Sequence, residues 1–120
     1  LFQALLFGEV NGVSKIGSYT GNGTGNLTVD CGFTNGIDFL YIKNISSVDH
    51  GHLFNRQFGI TTSAGNDTSL EVKLSPGGFH TANDSIQQHS SGFTLMPTIG
   101  ASQANINGDT YVFYAIANST

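Results

Sequence analysis

The side chains best suited to chemistry in this chain are four histidines, His50, His52, His80 and His89. His50 and His52 stand at i and i+2, a spacing that puts both rings on one face of a strand. With Asp49 beside them they could hold a divalent cation. Two ligands are a weak site, and polar loop histidines at a strand start are the stronger explanation. His80 and His89 are far apart in sequence and could join a constellation only through folding. No serine occupies a G-x-S-x-G nucleophile setting. The eight acidic residues are scattered, with no marked carboxylate pair of the kind that cleaves glycosides. The run Gly21-Asn22-Gly23-Thr24-Gly25-Asn26 has the glycine content of a phosphate cradle. Its glycine spacing does not match the dinucleotide fingerprint, a strand rather than a helix follows it, and the P-loop lysine is missing. It reads as a β-loop. No catalytic residue and no cofactor are therefore expected.

Cys31 is the single cysteine, which excludes an intrachain disulfide and a cysteine-rich zinc site. In Leu27-Thr28-Val29-Asp30-Cys31-Gly32-Phe33 the alternation groups it with Leu27, Val29 and Phe33, as a buried and inert thiol.

The elements that must position these residues are strands. The 120 residues suffice for one domain with a real core. Only 10% are charged, against about 25% in ordinary soluble domains, and Asn, Ser and Thr fill the polar positions. Such short side chains suit strands and turns better than solvated helices. The formal net charge is -4 with only four Lys and Arg, too few for a nucleic-acid patch or a polybasic membrane anchor. Leu1 to Phe7 is apolar but too short to span a bilayer, and it lacks the positive n-region of a signal peptide.

Turn residues punctuate the chain at the 8–12-residue spacing of a β-sandwich. Strands are expected over 13–19, 27–33, 37–45, 52–60, 68–74, 86–96 and 110–117, with residues 1–12 as an arm or first strand and 13–120 as one sandwich domain. The closing segment is the clearest. Asn107-Gly108 suits a hairpin turn with positive φ at both residues. Tyr111, Phe113 and Ala115 then alternate with Val112, Tyr114 and Ile116, apolar on both faces, so burial on both sides is expected. The expected core is Val29, Phe33, Phe39, Tyr41, Leu70, Val72, Phe93, Tyr111 and Phe113. The fold class is all-β, an antiparallel, jelly-roll-like sandwich with almost no helix.

Asn22, Asn26, Asn44, Asn66, Asn83 and Asn118 each begin an N-x-[ST] triplet. A chain this rich in Asn, Ser and Thr produces such triplets by chance. Exposed aromatics and amides on a sandwich can also hold sugars, by ring stacking and amide hydrogen bonds. Tyr19, Asn22, Asn26 and Tyr114 are the candidates for a glycan contact, with core or interface placement the stronger explanation for the two tyrosines.

The order of several blocks resembles a known family. Gly17-Ser18-Tyr19-Thr20-Gly21-Asn22-Gly23 precedes Val29-Asp30-Cys31-Gly32-Phe33 and Phe39-Leu40-Tyr41-Ile42-Lys43. Gly92-Phe93-Thr94-Leu95, Asn105-Ile106-Asn107-Gly108 and Tyr111 to Ala117 follow. This arrangement is similar to a β-rich domain of virion structural proteins of tailed bacteriophages, tail-fibre-like proteins among them. The likeness spans about residues 16–117. Two positions depart from it: Thr34-Asn35-Gly36 stands where the family commonly has a proline, and His52-Leu53-Phe54-Asn55 where it commonly has a tryptophan. The resemblance implies a non-enzymatic virion component, either a fibre or spike domain contacting a host-surface glycan or a capsid-decorating protein. It implies an extracellular particle surface as the location.

Assembly follows from the residues themselves. Leu1, Phe2, Leu5, Leu6 and Phe7 would make a poor solvent-exposed arm, and low charge favours lasting contact over repulsion. They are the expected interface of a homo-oligomer, with a trimer as the expected closed form in a fibre. The arm could instead pair as an edge strand within its own sandwich.

Overall fold

In the computed structural model, described over residues 3–4, 6–24, 26–48, 51–57, 60, 68–72, 78–81, 86–96 and 104–119, nine strands and no helix are found among the described residues. They are β1 Ser14–Thr20, β2 Leu27–Asp30, β3 Ile37–Asn44, β4 Gly51–Asn55, β5 Thr68–Val72, β6 Gly78–Thr81, β7 Ile86–His89, β8 Gly92–Leu95 and β9 Thr110–Ala117. Two antiparallel sheets result, one of six strands in the order β1-β9-β3-β4-β5-β6 and one of three in the order β2-β8-β7.

The first strand pairs with the last and the second with the penultimate, as in a jelly roll. The middle departs from that pattern, because β3 to β6 run as a simple meander. The run 86–96, read as one strand, is a hairpin of β7 and β8 folded at Ser90-Ser91.

Between the sheets lies the core. Val29, Ile86, Phe93 and Leu95 come from the small sheet, and Ile37, Leu40, Ile42, Phe54, Tyr111, Phe113 and Ala115 from the large one. Phe93 meets Phe113 edge to face with centroids 5.4 Å apart, joining the two layers. Cys31 is buried with Val29 and Phe33, as alternation groups them. Ser14, Asn44 and Asn105 are the buried polar residues among those described, and each is hydrogen-bonded.

Four of the nine expected core residues are placed otherwise. Phe39 and Tyr41 are half-buried, while Leu70 and Val72 are exposed. The cause in β3 is a bulge. The register with β9 slips between Ile37 and Phe39, so Ile37 faces the core together with Leu40, Ile42 and Asn44. One extra residue reverses the phase of everything after it. Leu70 and Val72 pair with Leu53 and Gly51, whose own partners are Tyr41 and Lys43, so all of them face away from the small sheet.

The closing turn also differs in detail. Asp109 N–H donates to the Ile106 carbonyl at 3.1 Å, and only Gly108 has positive φ, at 84°. This is a β-turn with glycine at its third position. It does not join two paired strands, because β9 pairs with β1 and β3. Burial of β9 is one-sided: Tyr111, Phe113 and Ala115 are inside, while Val112 is exposed and Tyr114 and Ile116 are half-buried.

Candidate functional site: the outer face of the large sheet

Cross-strand partners in a sheet point to the same side. Following the register from edge to edge gives one row: Ile16 opposite Tyr114, Tyr114 opposite Tyr41, Tyr41 opposite Leu53, and Leu53 opposite Leu70. Phe79 on β6 is the register partner of Leu70. An apolar row therefore crosses β1, β9, β3, β4 and β5 on the side away from the core. Ile16 is 41% exposed and Leu70 36%. Val112 and Ile116 flank it along β9, and Phe39 stands edge-on to Tyr114 with centroids 6.4 Å apart.

One end of this row is overlaid by the N-terminal segment. The turn Val10-Asn11-Gly12-Val13 folds residues 7–10 back on β1, closed by Val13 N–H donating to the Val10 carbonyl at 2.9 Å. Val10 N–H donates to Ser14 Oγ and the Ser14 hydroxyl donates to the Gly8 carbonyl, both at 3.0 Å. Lys15 Nζ donates to Glu9 Oε1 at 2.9 Å, and Ile16 N–H to Glu9 Oε2 at 3.2 Å. The Lys15 ammonium and then that backbone N–H hold the Glu9 carboxyl below its ordinary range. Phe7 lies on Tyr114 with centroids 4.7 Å apart. A groove of about 230 Å³ remains, lined by Leu6, Phe7, Ile16, Tyr41, Val112, Phe113 and Tyr114. Leu6 is 93% exposed beside it. Of the expected interface residues, Leu6 and Phe7 thus meet this face, while Leu1, Phe2 and Leu5 lie outside the described residues.

The glycan candidates do not converge. Tyr19 pairs with Tyr111 in register and faces inward, its ring stacked on Tyr111 at 5.0 Å and near-parallel. Its hydroxyl donates to the Ala104 carbonyl at 2.8 Å. Burial, and secondarily Tyr111, pushes that hydroxyl well above the ordinary tyrosine range. Tyr114 is on the opposite face of the same sheet. Asn22 is engaged with Asn105: Asn22 N–H donates to Asn105 Oδ1 at 2.8 Å, and Asn105 Nδ2 donates to Asn22 Oδ1 at 3.1 Å. Asn26 is exposed.

The glycine-rich loop owes its composition to close approach. Gly21 N–H donates to Asp109 O, Gly23 N–H to Asn105 O, and Gly108 N–H to Gly21 O, at 2.9–3.0 Å. A Cβ on Gly21 would meet the Ile106 carbonyl. The N–H groups at 21, 22 and 23, which a phosphate cradle would need free, are all engaged. Two other triplet asparagines use their amides internally: Asn44 Nδ2 donates to Asp109 at 2.8 Å, and Asn118 Nδ2 to the Asn35 carbonyl at 3.3 Å. Asn66 and Asn83 lie outside the described residues.

His52 sits on β4 opposite Ile42, beside Phe54, and His50 lies outside the described residues. No three His, Cys, Asp or Glu side chains come together as metal ligands among the described residues. Among these residues no helix is long and apolar enough to cross a membrane.

A second, polar cleft of about 240 Å³ lies beside the β3 bulge, lined by Asp38, Asn55, Arg56 and Gln57. Arg56 Nε is 2.9 Å from Asp38 Oδ1, an ion pair rather than a directed hydrogen bond. The Arg56 backbone N–H donates to the Asp38 carbonyl at 3.0 Å. Periodicity gave no sign of this cleft, since a bulge leaves none in a single sequence.

A family model described as a domain of unknown function, DUF7483, matches residues 2–120. The chain belongs to this family. The DUF7483 match covers the N-terminal segment and both sheets together, so the apolar outer row and the segment over it lie within one family domain. No curated protein and no solved structure matches the DUF7483 chain.

Proposed function

We propose that this chain is a non-enzymatic structural subunit that associates with copies of itself through the outer face of its large sheet. The observation that carries this reading is the apolar row Ile16-Tyr114-Tyr41-Leu53-Leu70 on a face that, among the described residues, only the N-terminal segment overlays, and only at one end. Five inter-strand spacings of about 4.8 Å and a mean strand length of about 20 Å give a face on the order of 500 Å². That is below the roughly 800 Å² each partner buries in a standard interface, so the N-terminal segment would have to add to the contact. Three copies turning this face to a threefold axis would cover it, which is the trimer expected of a fibre. The virion setting, as a tail-fibre or spike domain or a capsid-decorating protein, rests on the resemblance of the sequence blocks.

Light scattering on the full chain tests the assembly. An oligomer at micromolar concentration that becomes a monomer on Leu53→Lys supports it, provided the variant keeps its β-sheet circular dichroism. A monomeric parent chain refutes it. Mass spectrometry of purified phage particles tests the setting, and absence of the polypeptide there excludes it.

A second reading, a carbohydrate-binding module, is favoured by the cleft at Asp38, Asn55, Arg56 and Gln57. It gathers a carboxylate, a guanidinium and two amides, the donors and acceptors that hydrogen-bond sugar hydroxyls. Glycan-array binding that disappears in Asp38→Ala supports it. An array without signal from the folded chain rejects it.

A further inference from the structure

Four Asn-Gly dipeptides punctuate the chain, at 11–12, 22–23, 35–36 and 107–108. In such a dipeptide the glycine backbone nitrogen can attack the asparagine side-chain carbonyl, unhindered by a Cβ. The attack requires that nitrogen to lose its proton and leave any hydrogen bond it makes. The structure sorts the four by that criterion. Gly23 N–H donates to the Asn105 carbonyl, Gly36 N–H to Ser90 and Gly108 N–H to Gly21. Gly12 N–H has no hydrogen bond among the described residues.

Asn11-Gly12 and Asn107-Gly108 are alike in most respects. Both are exposed, and both stand at the centre of a β-turn, 10–13 and 106–109. Both glycines have positive φ, 74° and 84°. Neither would meet another atom if it carried a Cβ. They differ in the bond from Gly108 N–H to Gly21 O, at 3.0 Å, which Gly12 lacks.

We propose that Asn11 is the preferred site of spontaneous deamidation among the four Asn-Gly dipeptides of the folded protein. The Gly12 nitrogen bonds to Asn11 Cγ, the Cγ–Nδ2 bond breaks, and ammonia leaves with the protons that balance the step. A five-membered succinimide remains. Solvent water then opens either ring carbonyl, giving aspartate or isoaspartate at position 11. No oxidant or reductant is involved. The product adds a carboxylate two residues from Glu9, and isoaspartate adds a backbone carbon to the turn that lays residues 7–10 on β1.

The folded full chain is aged at mildly alkaline pH, and its peptides are mapped over time by mass spectrometry for a gain of one mass unit. Conversion at Asn11 is expected about two- to tenfold faster than at Asn107, the factor to which one net hydrogen bond converts. The same measurement in denaturing urea removes that bond, and the two rates should then approach each other. Equal rates in the folded chain, or faster conversion at Asn107, overturn the proposal. So does an unchanged ratio in urea, which would assign the difference to neighbouring side chains.

Discussion

Cys31 and Tyr19 show how burial sets the chemistry of single groups. Burial, and secondarily Asp30, pushes the Cys31 thiol from 9.0 up to about 12. Near neutral pH it is protonated and enclosed, so a thiol reagent should leave the folded chain unmodified and react when the chain unfolds. Fast modification of the folded chain would contradict the burial of Cys31 just after β2. The linkage is alkaline. A folded-state pKa raised above the unfolded one gives stability fully present below the unfolded value and lost as pH rises towards the folded value. For Cys31 that window runs from about 9 to about 12, and Tyr19, raised from 10.0, acts in the same direction. Urea midpoints measured across this range should fall with pH. Cys31→Ser should flatten only the part of the slope that begins near 9, because Tyr19 remains.

Much at this scale was legible in the sequence. Alternation grouped Cys31 with Val29 and Phe33, which are buried with it. Core or interface was the stronger reading for Tyr19, but the side it faces was not legible. The polar content of its strand gives no face, and only the pairing with Tyr111 fixes its side.

Among the elements, β3 shows where alternation fails. Its residues fell into two sets, but the bulge after Ile37 exchanged which set faces inward. An apolar outer row made the two sets look equally suited to a core. The exchange is measurable by substitution. Leu40→Ala should cost about 2–5 kcal/mol of stability, as for a fully buried leucine. Tyr41→Ala, on the half-buried side, should cost less in unfolding and weaken self-association instead. Denaturant titration and sedimentation of both variants separate the two effects, and equal losses of stability would contradict the observed register.

The N-terminal segment is a separate element with a pH-dependent hold. Glu9 has its pKa lowered, so its contribution is present above the ordinary carboxyl value near 4.5 and is lost as pH falls below it. Limited proteolysis within residues 3–10 should therefore accelerate in acid before the sandwich unfolds. Glu9→Gln should show the fast rate at neutral pH. A cleavage rate independent of both would mean that Phe7 on Tyr114, rather than Glu9, holds the segment. The segment was legible as an arm from its apolar start. Its folding back through Asn11-Gly12 depends on contacts between Ser14, Gly8 and Glu9, which no periodicity records.

For the molecule as a whole, the two-sheet architecture was legible from turn spacing and composition. The strand order was not, because it depends on which distant strands meet. That order places β9 between β1 and β3, and thereby aligns Ile16, Tyr114 and Tyr41 into one surface. It also brings Leu6 and Phe7 onto the same face as Val112. If copies of the chain meet there, these two side chains extend the contact beyond the row itself. Each contributes at most about 1.5–3 kcal/mol when fully removed from water, reduced by the ordering of the segment. A chain lacking residues 1–8 should therefore still assemble, through Tyr41, Leu53 and Leu70, with a dissociation constant raised by about tenfold or more. Light scattering over a dilution series reads this shift. A constant equal to that of the full chain would remove the segment from the interface and leave the sheet face as the contact. Complete loss of assembly, with the sheet signal of the fold retained, would instead make the segment the principal contact.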